Sequence, residues 1–316
     1  MEDNEACCGS FKEELNYFFT FNFKQKAYKM NMHTYASSLK MKENRILEFK
    51  KIANEIRKES LIMIHRAQSG HPGGSLSEAD ILTALYFYKL RINPKKPNWS
   101  DRDRLVLSKG HASPGYYATL ALKGYFPKKE LESYRKINGL LQGHPELKTP
   151  GVDYAGGSLG QGVPVANGMA LAGKLDKKNY RVYVLIGDGE AQEGVVWEAS
   201  MSAAFYKLDN LVYILDKNQV QQTGKTAEIM DIGDAAAKWK AFGFNVVEID
   251  GHDMEQIINA LDAADNVKGK PTMIIANTIK GKGVSFMELN HKFHGKAPND
   301  EEFKQAMNGL DKIKFD

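Results

Sequence analysis

With 316 residues, 42% of them hydrophobic and 26% charged, the chain is long enough to bury a large core and has the make-up of an ordinary globular protein rather than a disordered or fibrous one. A net charge of +4, with Lys and Arg scattered among Asp and Glu, gives no basic stripe for nucleic acid. No apolar run approaches the roughly 20 residues that a bilayer span needs. The only cysteines, Cys7 and Cys8, are adjacent and make a poor start for a disulfide framework, so a reducing compartment, the cytoplasm, is the expectation.

Residues 1–40 fit nothing that follows: an acidic start, an aromatic patch at Tyr17–Phe21, then Lys24, Lys26 and Lys29. The aromatic patch follows Glu13 and Glu14 and lacks a small-residue cleavage site, which argues against a signal peptide. We read this stretch as a poorly ordered extension, with Met41 as the natural beginning of one large α/β domain that runs to residue 316.

From Glu43 to Gln68 apolar residues recur every three or four positions, predicting an amphipathic helix. It ends in Ser69-Gly70-His71-Pro72-Gly73-Gly74, whose Gly and Pro content predicts a tight loop. Ser77, with Asp80 three residues on, predicts the cap of a second helix through about Leu90. Arg104 to Leu107 reads as a strand, and Ser108-Lys109-Gly110-His111 places a second histidine beyond its carboxyl end, before a helix through Tyr116 and Leu120. A helix around Lys128 to Ile137 then leads to Gly143-His144-Pro145-Glu146.

Any one of these histidines alone is more often a structural turn residue. Three Gly-His loops in one half of a chain with eight histidines are harder to assign to packing. Their spacing excludes two ligands at i and i+4 of one helix. Imidazoles that hydrogen-bond a ligand or move protons are the better reading.

Gly156-Gly157-Ser158-Leu159-Gly160-Gln161-Gly162 leads into a helix through Val165, Met169 and Leu171, and a glycine-rich loop at a helix N-terminus is a ready anion site. The pattern is not GxGxxG with an acidic residue about twenty on, so a dinucleotide site is weakly supported. Next, the apolar run Val182–Ile186 stops at Gly187-Asp188-Gly189. A helical stretch follows, and a second apolar run, Leu211–Leu215, ends in Asp216-Lys217-Asn218. This strand, helix, strand unit puts both polar clusters at the carboxyl edge of one parallel sheet, where ligands of open α/β sheets bind.

Asp188 offers a carboxylate, Asn218 a side-chain carbonyl, and the backbone just beyond it a third oxygen. Magnesium favours such hard donors when ligand phosphates complete the shell. Gly187 and Gly189 leave room for a diphosphate to approach the backbone. A lone GDG is more often a strand-ending turn that binds nothing; the asparagine at the next strand tip reverses that preference. Further on, the pattern predicts a helix near Asp234–Phe242, a strand at Val246–Ile249, a helix with Ile257 and Leu261, and a strand at Thr272–Ala276. His291 and His294 fall in a polar loop that runs to Pro298, while His252 reads as structural.

Taken together, SGHPGGSLSEAD, SKGHASPGYY, GHPE, GGSLGQG, GDGEAQEG, DKNQ and HGKAP, between about Met41 and Pro298, resemble the diphosphate-binding N-terminal half of transketolase. The resemblance implies the thiamin diphosphate-binding fold: α/β, a mostly parallel sheet with helices on both faces. It implies Asp188, Asn218 and the Val220 carbonyl as ligands of Mg2+, with Ca2+ or Mn2+ able to take its place. Gly189 and Asn218 would also touch the diphosphate of thiamine diphosphate. His111 would contact the cofactor, and Gly157, Ser158 and Leu159 would wall the thiamine. His71, His144 and His294 would bind sugar oxygens and pass protons, and Glu193 would meet the partner's catalytic glutamate. Gln222 departs from the aliphatic residue usual in the family.

In transketolase chemistry thiamine stabilises the carbanion left when a bond beside a carbonyl breaks. That use of the cofactor needs a carboxylate in an apolar pocket against the pyrimidine ring, and the sequence holds no candidate for it. The expectation is therefore the small subunit of a split transketolase. It would be active only with a C-terminal, pyrimidine-binding partner subunit, would act on sugar phosphates and would self-associate within a heterotetramer. Two other readings stay open: a catabolic relative acting on an unusual ketose phosphate or a sulfosugar, and a non-catalytic assembly or regulatory subunit. The intact Asp188, Asn218 and motif histidines argue against the second of these.

Overall fold

The computed structural model describes residues 42–315, so the extension expected at residues 1–40, and Met41, lie outside the described residues. The chain divides into two compact units between Glu48 and Phe49. Of the first unit only residues 42–48 are described, and they are helical. In the second unit helix α1 covers residues 49–67, in keeping with the predicted periodicity.

Five strands form one parallel sheet: β1 (Arg104–Leu107), β2 (Val182–Gly187), β3 (Leu211–Lys217), β4 (Asn245–Asp250) and β5 (Thr272–Asn277), in the order β1-β2-β3-β5-β4. Strands β2 and β3 are buried almost throughout and read as continuous apolar runs, as a sheet covered on both sides requires. On one face Val182, Val184, Ile186, Leu211, Tyr213 and Leu215 meet helices α5 (Gly162–Leu175), α6 (Gly194–Phe205) and α8 (Ala235–Ala241). Helix α9 (Met254–Asp265) packs on β4 and β5, and α3 (Ala79–Ala84) packs on α9. The α/β class, the parallel sheet and the helices on both faces agree with the sequence reading.

Three elements differ from expectation. The Gly/Pro run is not all loop, because Pro72 opens helix α2 (Pro72–Ser77) from its first turn, where proline's fixed φ suits the helix. Gly73 and Gly74 belong to that helix. A Cβ on Gly73 would lie 2.9 Å from the Lys280 stem, so the glycine serves close packing. Nor does Ser77 cap the next helix: α3 begins after Glu78 without a side-chain cap, and Ser77 Oγ donates instead to Asp216 Oδ2 at 2.6 Å. Around Lys128 the chain makes a 3₁₀ turn, Lys128–Ser133, rather than a helix to Ile137, and Arg135 and Asn138 take positive φ.

Two helices had no counterpart in the sequence reading: the short α7 (Thr226–Ile229) and α10 (Asp300–Asp311). A capping box starts α10: Asn299 Oδ1 accepts from Glu302 N at 2.8 Å and Glu302 Oε2 accepts from Asn299 N at 2.9 Å. Its buried Ala306 and Leu310 join Leu61, Leu76, Val284, Met287 and Phe293 in a second apolar cluster. That cluster pins the 278–294 segment against α1 and α2. Helix α4 (Ser113–Lys123) follows the prediction.

Candidate functional site

Strands β2 and β3 run in register, Gly187 beside Asp216, so the residues just past their ends emerge together. Gln219 takes a positive φ of 72°, rare for a residue with a side chain. That conformation turns its N–H onto Asp188 Oδ2 at 2.6 Å, while Gly189 N donates to Oδ1 at 2.8 Å. Burial, and then the charge on Asp216, push the Asp188 carboxyl above its usual pKa; the two backbone N–H groups and Lys280 act against them. A cation placed beside this carboxylate would favour its ionised form.

Asn218 is buried and held from beneath, Nδ2 donating to Asp216 Oδ2 at 3.1 Å. Asp216 is itself a hub. Lys109 Nζ (2.6 Å), Ser77 Oγ (2.6 Å) and Thr278 Oγ1 all donate to it. Lys109 also pairs with Glu78 Oε2 at 2.7 Å, and these three titratable side chains are almost wholly inaccessible to solvent. Burial acts to raise the Asp216 pKa, but Lys109 and the hydrogen bonds from Ser77 and Thr278 outweigh it and hold the carboxyl below its ordinary value, whereas burial raises Glu78 to about 7.

Around this base lies a cleft of about 330 Å³. It brings together His71, His111, His144, Gly157, Leu159, Asp188, Gly189, Glu193, Asn218, Val220 and His294, every residue expected for the site except Ser158, which is exposed outside the lining. The rings of His71, His111 and His294 form a triangle with centroids 5.0, 5.3 and 5.1 Å apart. Burial lowers the pKa of all of them, His71 to about 4 and His294 to about 3, helped for each by nearby basic groups; His111 and His144 are lowered by the same causes. These imidazoles are therefore neutral near pH 7. His71 Nδ1 is buried with no hydrogen-bond partner among the described residues, which leaves one ring nitrogen for a ligand. Gln222 is exposed at the cleft wall.

The glycine-rich loop differs from a free anion cradle. Its Gly160 N–H is already taken by Glu190 Oε1 at 2.7 Å; the same oxygen accepts from Ser108 Oγ, and Oε2 accepts from Gly187 N at 3.0 Å. Glu190 thus staples the loop to both strand tips. Gly160 has φ +80° and a Cβ there would meet Val195 at 2.7 Å, so only glycine fits. Gly187 and Gly189 have no positive φ; a Cβ on Gly189 would crowd Gln221 at 3.0 Å, whereas one on Gly187 would make only ordinary contacts, the nearest with the Lys109 stem at 3.5 Å.

Four buried residues escaped the sequence reading: Lys109, Glu190, Asp216 and Lys280. Lys280 Nζ donates to the Val220 carbonyl at 2.6 Å and lies 2.7 Å from His294 Nδ1. As an ammonium it has only protons to give, so His294 accepts at Nδ1 and carries its own proton on Nε2. Burial brings Lys280 down to about 8. The available signal was a lysine just past a strand end, Thr278-Ile279-Lys280, at the sheet edge already chosen. His252 proves structural, its Nδ1 2.8 Å from Asp80 Oδ2 and its Nε2 accepting from Ile279 N at 2.9 Å.

The donor chemistry fits a hard cation. Asp188, the Asn218 carboxamide and the Val220 carbonyl are all oxygens, and a lysine ammonium already rests on one of them. Among the described residues no group of three or more His, Cys, Asp or Glu gathers to hold a metal; the hard oxygens here are of the kind that Mg2+ shares with ligand phosphates.

Comparison with known proteins gives a consistent result. Residues 49–315 match the family described as the transketolase, thiamine diphosphate binding domain. The chain is 46% identical over 261 residues to the 6-deoxy-6-sulfo-D-fructose transketolase subunit SqwG of Clostridium sp. (strain MSTE9), covering 82% of this chain and 95% of that protein. It is 43% identical to an apulose-4-phosphate transketolase subunit of Phocaeicola vulgatus, covering 79% and 89%. Among solved structures, the transketolase of Campylobacter jejuni superposes with a TM-score of 0.79 at 38% identity, over 86% of this chain and 44% of that one.

Proposed function

The chain belongs to the transketolase family through its thiamine diphosphate-binding domain, and we propose that it is the diphosphate-holding subunit of a two-chain transketolase that moves a two-carbon ketol unit from a ketose phosphate to an aldose phosphate. One observation carries this reading: oxygen donors from two adjacent strand tips meet four neutral imidazoles in a single cleft.

In this reading Asp188, Asn218 and the Val220 carbonyl hold Mg2+, with Ca2+ or Mn2+ as replacements. Gly189, Asn218 and His111 meet the diphosphate, and Gly157 and Leu159 wall the ring, with Ser158 at the rim. Thiamine diphosphate, when bound, supplies the electron sink for the carbanion. The chain's own residues do the rest. His71 and His144, kept neutral by burial, each offer one donor and one acceptor to sugar oxygens, while the likewise neutral His294, whose Nδ1 is taken by Lys280, offers its Nε2 proton; the three pass protons. Glu193, exposed at the cleft rim, is free to meet an acidic group of a second chain.

A C-terminal partner subunit with the pyrimidine pocket, and assembly of both into a heterotetramer, are part of the same proposal. Supporting it, the chain spans 95% and 89% of relatives named as subunits but 40% of the human transketolase. Among the described residues no helix is long and apolar enough to cross a membrane. The names of the two subunit relatives favour a second reading, in which the donor is an unusual ketose phosphate or a sulfosugar.

The test mixes the chain with the product of the neighbouring reading frame, thiamine diphosphate and Mg2+. Xylulose 5-phosphate, sulfofructose and apulose 4-phosphate are assayed as donors to ribose 5-phosphate. Turnover by this chain alone would overturn the two-chain reading, and silence of the mixture with every donor would overturn ketol transfer.

A further inference from the structure

Lys280 is 3% exposed, and its stem lies where a side chain on Gly73 would be, 2.9 Å from that glycine's missing Cβ. Its ammonium makes no ion pair with a carboxylate among the described residues; its partners are the Val220 carbonyl and His294 Nδ1, with Asp188 attracting it from farther off. A buried cation without a paired anion is an unusual arrangement. The carbonyl it uses is also the one expected to serve a divalent metal.

A carbonyl oxygen has two lone pairs, yet two full positive charges on one buried oxygen repel strongly at low dielectric. We propose that Lys280 and a divalent cation compete at the Val220 carbonyl, so that the metal is held tightly only together with an anion that receives the displaced ammonium. This rests on the reading of Asp188, Asn218 and Val220 as a cation site. The packed stem keeps the lysine from swinging out to water, so the released ammonium stays in the cleft beside Gly187, Gly189 and His111. Metal and anion then help each other bind, whereas metal alone must fight a fixed positive charge.

The experiment uses the full chain, Mn2+ followed by electron paramagnetic resonance, and inorganic pyrophosphate. The wild type takes Mn2+ weakly alone and at least about tenfold more tightly with pyrophosphate. Lys280→Met, which preserves the packed stem, binds Mn2+ alone about tenfold more tightly than the wild type, and pyrophosphate adds less. A variant that binds Mn2+ alone no better than the wild type overturns the competition while leaving the cation site standing. Absence of Mn2+ binding by both proteins, even with pyrophosphate, overturns the site and the competition with it. A second measurement does not depend on the variant folding: acetylation of Lys280 in the wild type, read by peptide mass spectrometry, rises with Mn2+ alone and falls when pyrophosphate follows. Labelling that Mn2+ leaves unchanged or lowers counts against the proposal.

Discussion

Asp216 grips the Asn218 carboxamide by its nitrogen, Nδ2 donating to Oδ2 at 3.1 Å, and thereby decides which end of the amide is left for the cleft. Lys109, Ser77 and Thr278 donate to the same carboxylate, so its acceptor capacity is well used. In Asp216→Asn one oxygen becomes a donor that faces these donors. We expect a stability loss of about 3 kcal/mol in urea unfolding, as for breaking a buried ion pair. Mn2+ retention with pyrophosphate should also fall about tenfold, through a loosened Asn218. Lost stability with unchanged Mn2+ affinity would reduce Asp216 to a structural role.

The buried Glu78 makes stability depend on pH. Unfolded, it ionises near 4.5; folded, it is raised to about 7, chiefly by burial and against the pull of Lys109. Between those values the folded chain keeps a proton that the unfolded chain has lost. Wild-type stability therefore falls as pH rises through this window, by at most about 3 kcal/mol once above it. Glu78→Gln carries no such titration. The difference between variant and wild type, measured by urea unfolding at about pH 5 and about pH 8, should move in the variant's favour at the higher pH. A difference independent of pH would refute the assignment.

The histidines behave in the opposite sense. Folded values of about 4 for His71 and about 3 for His294 lie below the ordinary 6.5, because burial penalises the imidazolium. Their contribution to stability is complete above pH 6.5 and is lost as pH falls toward 4, when only the unfolded chain takes up protons. In long-range proton–nitrogen spectra both rings should stay neutral at about pH 5.5, His294 with its proton on Nε2. An imidazolium signature from either ring at that pH would contradict the burial argument.

What the sequence disclosed follows a physical line. The parallel sheet was legible because β2 and β3 are unbroken apolar runs ending in polar clusters, and Asp188 and Asn218 were legible because strand tips at one edge must meet. Glu190, Lys109 and Asp216 were not, since nothing local distinguishes a carboxylate that accepts Gly160 N–H from one facing water. The partner that makes a buried charge tolerable lies far away in sequence, 107 residues for Lys109 and Asp216. Helix α2 was misread for a related reason, because the value of Gly73 comes from a lysine stem folded in from the far end of the domain.

Glu190 offers a direct check on the stapled glycine loop. Its carboxylate accepts from Gly160 N, Gly187 N and Ser108 Oγ at once, and a carboxamide has one acceptor oxygen. Glu190→Gln sets an NH2 against a buried N–H and should lower stability by about 2 kcal/mol. Limited proteolysis should then cut within residues 156–162 first. Cleavage that begins elsewhere would show that the loop is held by other means.

The proposed function gives the holding of the cation and the movement of protons to different residues, and two substitutions test that division. Asp188→Asn keeps the volume of the side chain but removes its charge from the strand tip, and its NH2 opposes the Gln219 or the Gly189 N–H. Thiamine diphosphate with Mg2+ should then be lost on gel filtration, and calorimetry should show an affinity drop of about a hundredfold or more. His294→Gln leaves the Asp188, Asn218 and Val220 oxygens in place and keeps an acceptor for Lys280. Cofactor retention should change by less than about fivefold, while turnover of the reconstituted two-chain enzyme falls about 10²- to 10⁴-fold, the range for losing a proton-transfer group. The two variants should thus fail in different assays. If both lost cofactor and turnover in the same proportion, the imidazole would be part of the cation site rather than a proton carrier beside it.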